Sequence, residues 1–308
     1  MAASTTSDDL QLKQMIERLR ELGQDCLRAQ STGEVRAALD RHFGAFPSAA
    51  LVTSEAVDIA GVGAEWIQAP NADHYRTILY LHGGGYAGGS IASHRELAAR
   101  LSKAAAARCL VLDYRLAPEN PFPAAVDDAT AAYQWLLLDQ KYQPTRIAIA
   151  GDSAGGGLTI ATLVNLRDKQ LPLPGAAACI SPWVDLAVSG ASALTNAERD
   201  ALVSRDILQM FVKMYLGDRD PRIPLASPLY ADLRGLPPLL IQVGSSEVLL
   251  DDAKQIGERA QAAGVSVELE VWPNMQHVWH WFAPTLDKGQ QAIEQIGGFI
   301  RQRTQAPA

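Results

Sequence analysis

The stretch "RIAIAGDSAGGGLTIATLVNL", Arg146 to Leu166, decides how this 308-residue chain is read. It runs strand, then Gly151-Asp152-Ser153-Ala154-Gly155, then helix. A tight strand-to-helix turn needs small residues beside its central serine, and it lifts the Ser153 hydroxyl above a sheet at a helix N-terminus. With 24 glycines in the chain the bare G-x-S-x-G pattern arises easily, so the flanking strand and helix carry the reading.

Working outward, short β-rich runs alternate with helical segments. The runs are "LVTSEAVDI", "TILYL", "RCLVLDY", "RIAIAG", "AAACIS", "PLLIQVG" and "VSVELEVW"; the helical segments are 91–107, 124–138, 154–169, 252–263 and 288–302. This alternation predicts an α/β fold with a mostly parallel sheet and helices on both faces. Residues 8–43 are helical in pattern, with Leu10, Leu12, Met15, Ile16, Leu19 and Leu22 at 3-4 spacing and "STGE" as a capping box opening a second helix at Ser31. Between "SPWVDL" and "PPLLIQV", residues 186–236 carry no strand signal. An insertion of that size between strands usually sits over the site a sheet presents, and with residues 1–45 it is expected to form a lid.

Composition bounds the function. Hydrophobic residues make up 48% of the chain and the net charge is −7, with no run of Lys or Arg dense enough to track phosphates. Nucleic acid is therefore not an expected partner. The cysteines Cys26, Cys109 and Cys179 read as buried free thiols rather than disulfides or metal ligands. The N-terminus lacks the basic start and apolar core of a signal peptide, and no apolar run approaches a membrane span, so the expectation is a cytoplasmic protein without a membrane partner.

"TILYLHGGGYAGG" ends a strand with His82-Gly83-Gly84-Gly85. Acyl transfer passes through a tetrahedral oxyanion that needs preorganised N–H donors, and consecutive glycines let backbone amides turn inward. A rival reading exists: Gly83, Gly85 and Gly88 satisfy G-x-G-x-x-G after a strand, and Asp113 ends the next strand where a ribose-binding acid could lie. The next helix, however, begins only near Ser90 to Arg95, too late to present its N-terminus to a pyrophosphate. A dinucleotide site also leaves the Ser153 elbow unexplained.

A base for Ser153 must lie well downstream, because the hydrolase chain order is serine, acid, histidine. His277 and His280 in "PNMQHVWHWF" qualify. His277 is nearer the end of the preceding strand; His280, one helical turn later, would face the lid or pack among Trp279, Trp281 and Phe282.

With "HGGGY", "DYRLAPENPFPAAVDD", "GDSAGGG", "SPW", "ASPLYADLRGLPPLLIQVG" and "MQHVW" in this order, residues 76–300 resemble the bacterial hormone-sensitive-lipase-like esterases (family IV) of the α/β-hydrolase superfamily. The resemblance implies an α/β-hydrolase core at 46–185 and 237–308, N-terminal cap helices at 1–45 and a cap insertion at 186–236. It implies a carboxylesterase acting on short to medium acyl esters without cofactor or metal, with Ser153 as nucleophile, His277 as base and the N–H groups of Gly84, Gly85 and Ala154 as oxyanion hole. The "YRLAPE" and "FPAA.DD" segments are expected to brace loops.

The third member lies in "GSSEVLLDDAKQ". Asp251 and Asp252 fall at an expected helix start, where a carboxylate is favoured for structural reasons. Glu247 lies instead in the loop at the strand's carboxyl end, where it could accept the second ring N–H of His277. The family more often carries Asp there, so Asp251 stays open as the alternative acid. Lactonase or deacetylase chemistry would use the same machinery, and a non-catalytic binder on the same scaffold would be expected to lack the serine or the histidine. The last strand and final helix offer an edge suited to a homodimer.

Overall fold

The strand residues sort onto two faces with period two, as pleating requires. In a computed structural model that describes residues 7–44, 46 and 52–305, Leu79, Leu81, Ile147, Ile149, Ala177 and Ile241 point into one apolar core. Their neighbours Ile78, Tyr80, Ala148, Ala150, Ala178 and Leu240 point into another on the opposite face.

The chain runs α1 (Ser7–Arg28), α2 (Thr32–Phe43), β1 (Thr53–Ile59), β2 (Val62–Gln68), β3 (Asp73–Leu81), α3 (Ile91–Ala105), β4 (Ala107–Leu112), α4 (Ala124–Leu138), β5 (Ile147–Asp152), α5 (Ala154–Asp168), β6 (Ala176–Ile180), α6 (Ser192–Thr195), α7 (Arg205–Leu216), β7 (Leu239–Gly244), α8 (Leu250–Ala262), β8 (Val267–Trp272) and α9 (Asp287–Arg303). The strands form one eight-stranded sheet in the order β1-β2-β4-β3-β5-β6-β7-β8. The β1–β2 and β2–β4 pairings are antiparallel and the rest are parallel. Helices α4, α5 and α8 cover one face, and α3 and α9 the other.

Every expected strand and helix forms, with one addition. The addition is β2, whose hairpin with β1 turns on Ala60 and Gly61, both at positive φ (54° and 89°). That two-residue turn normally advertises itself with Asn-Gly or Asp-Gly; alanine hides it. A buried charge inside β2 disguises it further, because Glu65 takes both arms of the Arg95 guanidinium at 2.8 Å.

At the N-terminus, half of the expected capping box forms. Ser31 Oγ accepts the Glu34 N–H, but the Glu34 carboxylate accepts the N–H of Gln30 rather than that of Ser31. Arg36 then ties α2 to the core by donating to the carbonyls of Ala87 and Ala117 and pairing with Glu119 at 2.7 Å. Arg115 likewise grips Asp128, so the charges of "YRLAPE" and "FPAA.DD" do brace loops. Residues 1–6, 45 and 47–51 lie outside the described residues, and with them the ends of the 1–45 segment. Among the described residues, the 186–236 insertion between β6 and β7 holds α6, α7 and one short 3-10 turn at Pro228–Tyr230.

Candidate active site

Between β5, which ends at Asp152, and α5, which begins at Ala154, Ser153 stands alone at φ 53°, ψ −121°. A non-glycine residue there is strained, and surrounding structure must hold it. Two hydrogen bonds do so: Ser153 N–H donates to Ile180 O at 2.8 Å, and Trp183 N–H donates to Ser153 O at 2.9 Å. The small residues of the elbow are a matter of space, since a Cβ on Gly155 would come within 1.9 Å of Leu81 O on β3. The half-buried Ser153 side chain lines a cavity of about 610 Å³ that also touches His277, Gly84 and Gly85.

Because β5, β6, β7 and β8 run parallel, their carboxyl ends share one edge, and the loops after β7 and β8 meet there. His277 Nδ1 lies 2.9 Å from Glu247 Oε2. The other carboxylate oxygen accepts from Ser181 Oγ at 2.8 Å and from Gly244 N–H at 2.5 Å. Burial alone would lower the His277 pKa. The hydrogen bond and charge of Glu247, with the charges of Asp200 and Asp152 behind it, carry it above the ordinary 6.5 instead. Among the described residues Ser153 and His277 do not hydrogen-bond to each other; catalytic hydrogen bonds commonly tighten only around bound substrate.

The alternatives take other places. His280 is buried away from the cavity with Nε2 2.7 Å from Gln242 Oε1, its ring packs on Trp279, and burial drives its pKa down to about 3; it packs among aromatics and does not face the insertion. Asp251 and Asp252 fall in the first turn of α8, but neither caps it, for the N-cap position is Leu249. Asp251 accepts the Ser192 N–H and Asp252 those of Val184 and Asp185, so each braces a neighbouring loop. Cys26 also departs from expectation: Cys109 and Cys179 are buried, whereas Cys26 is half-buried and lines the cavity.

The glycine loop after β3 closes the site from the other side. Gly84 sits at φ 116°, a conformation that side chains rarely adopt. The N–H groups of Gly84 and Gly85 make no hydrogen bond among the described residues, and the N–H of Ala154, first in α5, has no partner within its helix. Gly83 N–H donates to Asp152 Oδ1, which also accepts from Tyr80 OH at 2.7 Å. Helix α3 starts at Ile91 under a Ser90–Ser93 capping box, so the glycines do not open its N-terminus as a dinucleotide site would need.

The aromatics Trp183, Phe211 and Trp281 line the cavity, while Tyr86, Tyr215 and Trp279 are core.

Residues 78–281 match the family model of the α/β-hydrolase fold. The chain superposes on the crystal structure of an esterase from the bacterial hormone-sensitive lipase family with a TM-score of 0.94, 48% identity, and coverage of 99% of this chain and 100% of that one. This chain belongs to the hormone-sensitive-lipase-like esterases. Among curated relatives, it is 51% identical to an acetyl-hydrolase of Streptomyces hygroscopicus over 88% of this chain and 91% of that protein. It is 37% identical to an esterase of Acinetobacter venetianus over 86% and 87% of the two chains. The chain is thus a carboxylic ester hydrolase. Among its described residues no helix is long and apolar enough to cross a membrane.

One contributor to this esterase's site was missed in the sequence. Ser181, the serine of "SPW", is left-handed at φ 45°. It donates to Glu247 and accepts the N–H of Val278, the residue after His277, at 3.2 Å. A serine directly after a buried strand, followed by proline, was the available signal.

Proposed function

We propose that this esterase hydrolyses short to medium acyl esters through Ser153, His277 and Glu247. His277, hydrogen-bonded to Glu247 and sharing one cavity with a strained serine at a strand–helix elbow, is the observation that carries this reading. His277 takes the Ser153 proton through its free Nε2 as Oγ attacks the ester carbonyl. The N–H groups of Gly84, Gly85 and Ala154 receive the developing oxyanion. The intermediate collapses, the C–O bond to the alcohol breaks, and His277 returns the proton to that leaving oxygen. Water then attacks the acyl-enzyme with the same proton relay, releasing acid and free Ser153.

Leu22 and Leu39 from the N-terminal helices, with Leu202, Val203, Ile207 and Phe211 from the insertion, line the cavity. This supports a cap built from residues 1–45 and 186–236 around an apolar acyl group. The acetyl-hydrolase name of one relative favours the short end of the range. Ser153→Ala should cut p-nitrophenyl butyrate turnover by about 10⁴-fold or more while leaving the melting temperature near that of the parent. A variant keeping most of its activity would overturn the assignment, and a panel of acyl lengths and lactones then ranks the substrates.

Strand β8 ends the sheet and carries the exposed Val271, which supports self-pairing of this edge into a homodimer. A monomeric mass in solution at micromolar concentration would remove that idea.

A further inference from the structure

The insertion does more than wall the cavity. Its turn at 199–203, between α6 and α7, is stitched to both loops that carry the candidate base and acid. Asp200 Oδ2 accepts the N–H of Val248, the residue after Glu247, at 2.9 Å. Asp200 Oδ1 accepts the N–H groups of Leu202 (3.0 Å) and Val203 (2.8 Å), two residues of the cavity wall. On the other side Gln276, the buried residue before His277, accepts the Ala201 N–H at 2.8 Å through Oε1 and donates to Arg199 O at 3.0 Å through Nε2. Asn196 completes the joint by donating to Glu247 O at 2.8 Å. One short turn thereby fixes the residue after the acid, the residue before the base, and the substrate wall relative to one another.

We propose that Asp200 and Gln276 are positioning residues, and that through them the 199–203 turn clasps the acid and histidine loops in catalytic register. The inference rests on the Ser153–His277–Glu247 reading. Side chains misplaced by an ångström cost about 10²-fold in rate, and loops emerging from separate strands have no register of their own. Asp200 adds a second effect, because its negative charge favours protonated His277. The other titratable groups facing His277 are Glu247 and Asp152, which act in the same direction, and His280, which acts on it as a like charge only when protonated and is kept neutral by burial.

The two residues are separable by experiment. Asp200→Asn should lower kcat on p-nitrophenyl butyrate by about 10- to 100-fold with little change in KM, and should move the acid limb of kcat/KM to lower pH. Asp200→Glu keeps the charge, so its acid limb should stay at the parental position although kcat falls. Gln276→Leu removes both hydrogen bonds but no charge; kcat should fall about tenfold with the limb unmoved.

Thermal unfolding of each variant gives its folded fraction. If Asp200→Asn does not fold, Asp200→Glu and Gln276→Leu carry the kcat test. The clasp is overturned if kcat per folded molecule stays at the parental value in the variants that fold, or if a folded Asp200→Asn keeps the parental acid limb. Such a result beside an inactive Ser153→Ala would sink the clasp alone, whereas an active Ser153→Ala would sink the triad reading on which it stands.

Discussion

Two buried histidine–carboxylate pairs flank Ser153: His277 with Glu247 on one side, and His94 with Asp152, the residue just before the serine, on the other. The two histidines are equally buried, each 2% exposed, so burial does not separate them. What separates them is how many ring nitrogens are spent. His94 has Nε2 3.3 Å from Asp152 and Nδ1 2.9 Å from Ser93 Oγ, and its ring packs edge-on against Trp281. His277 spends Nδ1 on Glu247 and turns its other face to the cavity. A histidine with both nitrogens committed can brace; one with a single nitrogen committed can be oriented and still exchange a proton. The His94 pair braces the glycine loop, since Asp152 also holds Gly83 N–H and Tyr80 OH.

The widest gap between the pairs should appear on truncation. His277→Ala should match Ser153→Ala, a loss of about 10⁴-fold or more in kcat. His94→Ala should leave kcat within about tenfold per folded molecule but cost stability. Asp152 Oδ2 would then be a buried carboxylate oxygen that has lost its hydrogen-bond partner, a penalty of about 1–3 kcal/mol or more. Burial by itself would raise the Asp152 pKa; His94 and the Tyr80 hydroxyl hold it below the ordinary range instead. That contribution to stability is present above pH 3.8 and is lost as pH falls through the lowered value. If His94→Ala proved as inactive as His277→Ala at an unchanged melting temperature, the division between bracing and proton transfer would be wrong.

Glu247→Gln is the next largest expected effect, a loss of about 10²- to 10⁴-fold in kcat, because an amide at Oε2 can present N–H to His277 Nδ1 and select the wrong tautomer. Comparable damage from Asp251→Asn alone would return the acid's role to that residue. The parental pH profile tests the same pair. His277 must be neutral to accept a proton, and its pKa is raised, so activity should fall on acidification through a limb above 6.5. As a stability term the sign reverses: the raised pKa favours the fold below 6.5 and that favour is lost as pH climbs through the folded value. Glu247→Gln should move the activity limb to lower pH.

How legible the site was follows from where each signal lay in the chain. Ser153 and Glu247 follow the fully buried strands β5 and β7, and His277 follows β8, whose apolar residues alternate with Glu268 and Glu270, so local composition found each strand and counting found the residue. Gly83 to Gly85 were visible because a positive φ and a close backbone approach leave no substitute for glycine. The bracing groups escaped for the opposite reason. Asp152 and His94 lie 58 positions apart, Ser181 and Glu247 lie 66 apart, and Asp200 reaches Val248 across 48; no periodicity announces such contacts. In the fold itself, β2 was lost to an Ala60-Gly61 turn that lacks the usual asparagine and to a glutamate whose arginine partner sits on α3. Asp251 and Asp252 are legible as residues at the start of a helix, but nothing local marks their carboxylates as serving the 184–192 loop.

Asp252 sharpens the comparison because it is a buried carboxylate without a histidine. Its Oδ2 accepts the N–H groups of Val184 and Asp185. Those two donors do not offset desolvation, and nearby Asp185 and Asp251 add repulsion, so its pKa is pushed up to about 8. Asp152, at similar depth but facing His94, is shifted the other way. His94 and the Tyr80 hydroxyl account for the contrast. A carboxyl raised this far keeps its proton in the fold where the unfolded chain has lost it, so its contribution to stability is full below pH 3.8 and is withdrawn as pH rises toward about 8. Asp252→Asn should therefore leave kcat within about threefold, since the amide oxygen can still accept both N–H groups, a change of the size of ordinary tolerated substitutions. Relative to the parent it should gain melting temperature as pH rises from 5 to 8, flattening that part of the stability profile. A variant that lost stability steadily against the parent over the same interval would show that Asp252 is ionised and favourably held, and would take the contrast away from the histidine.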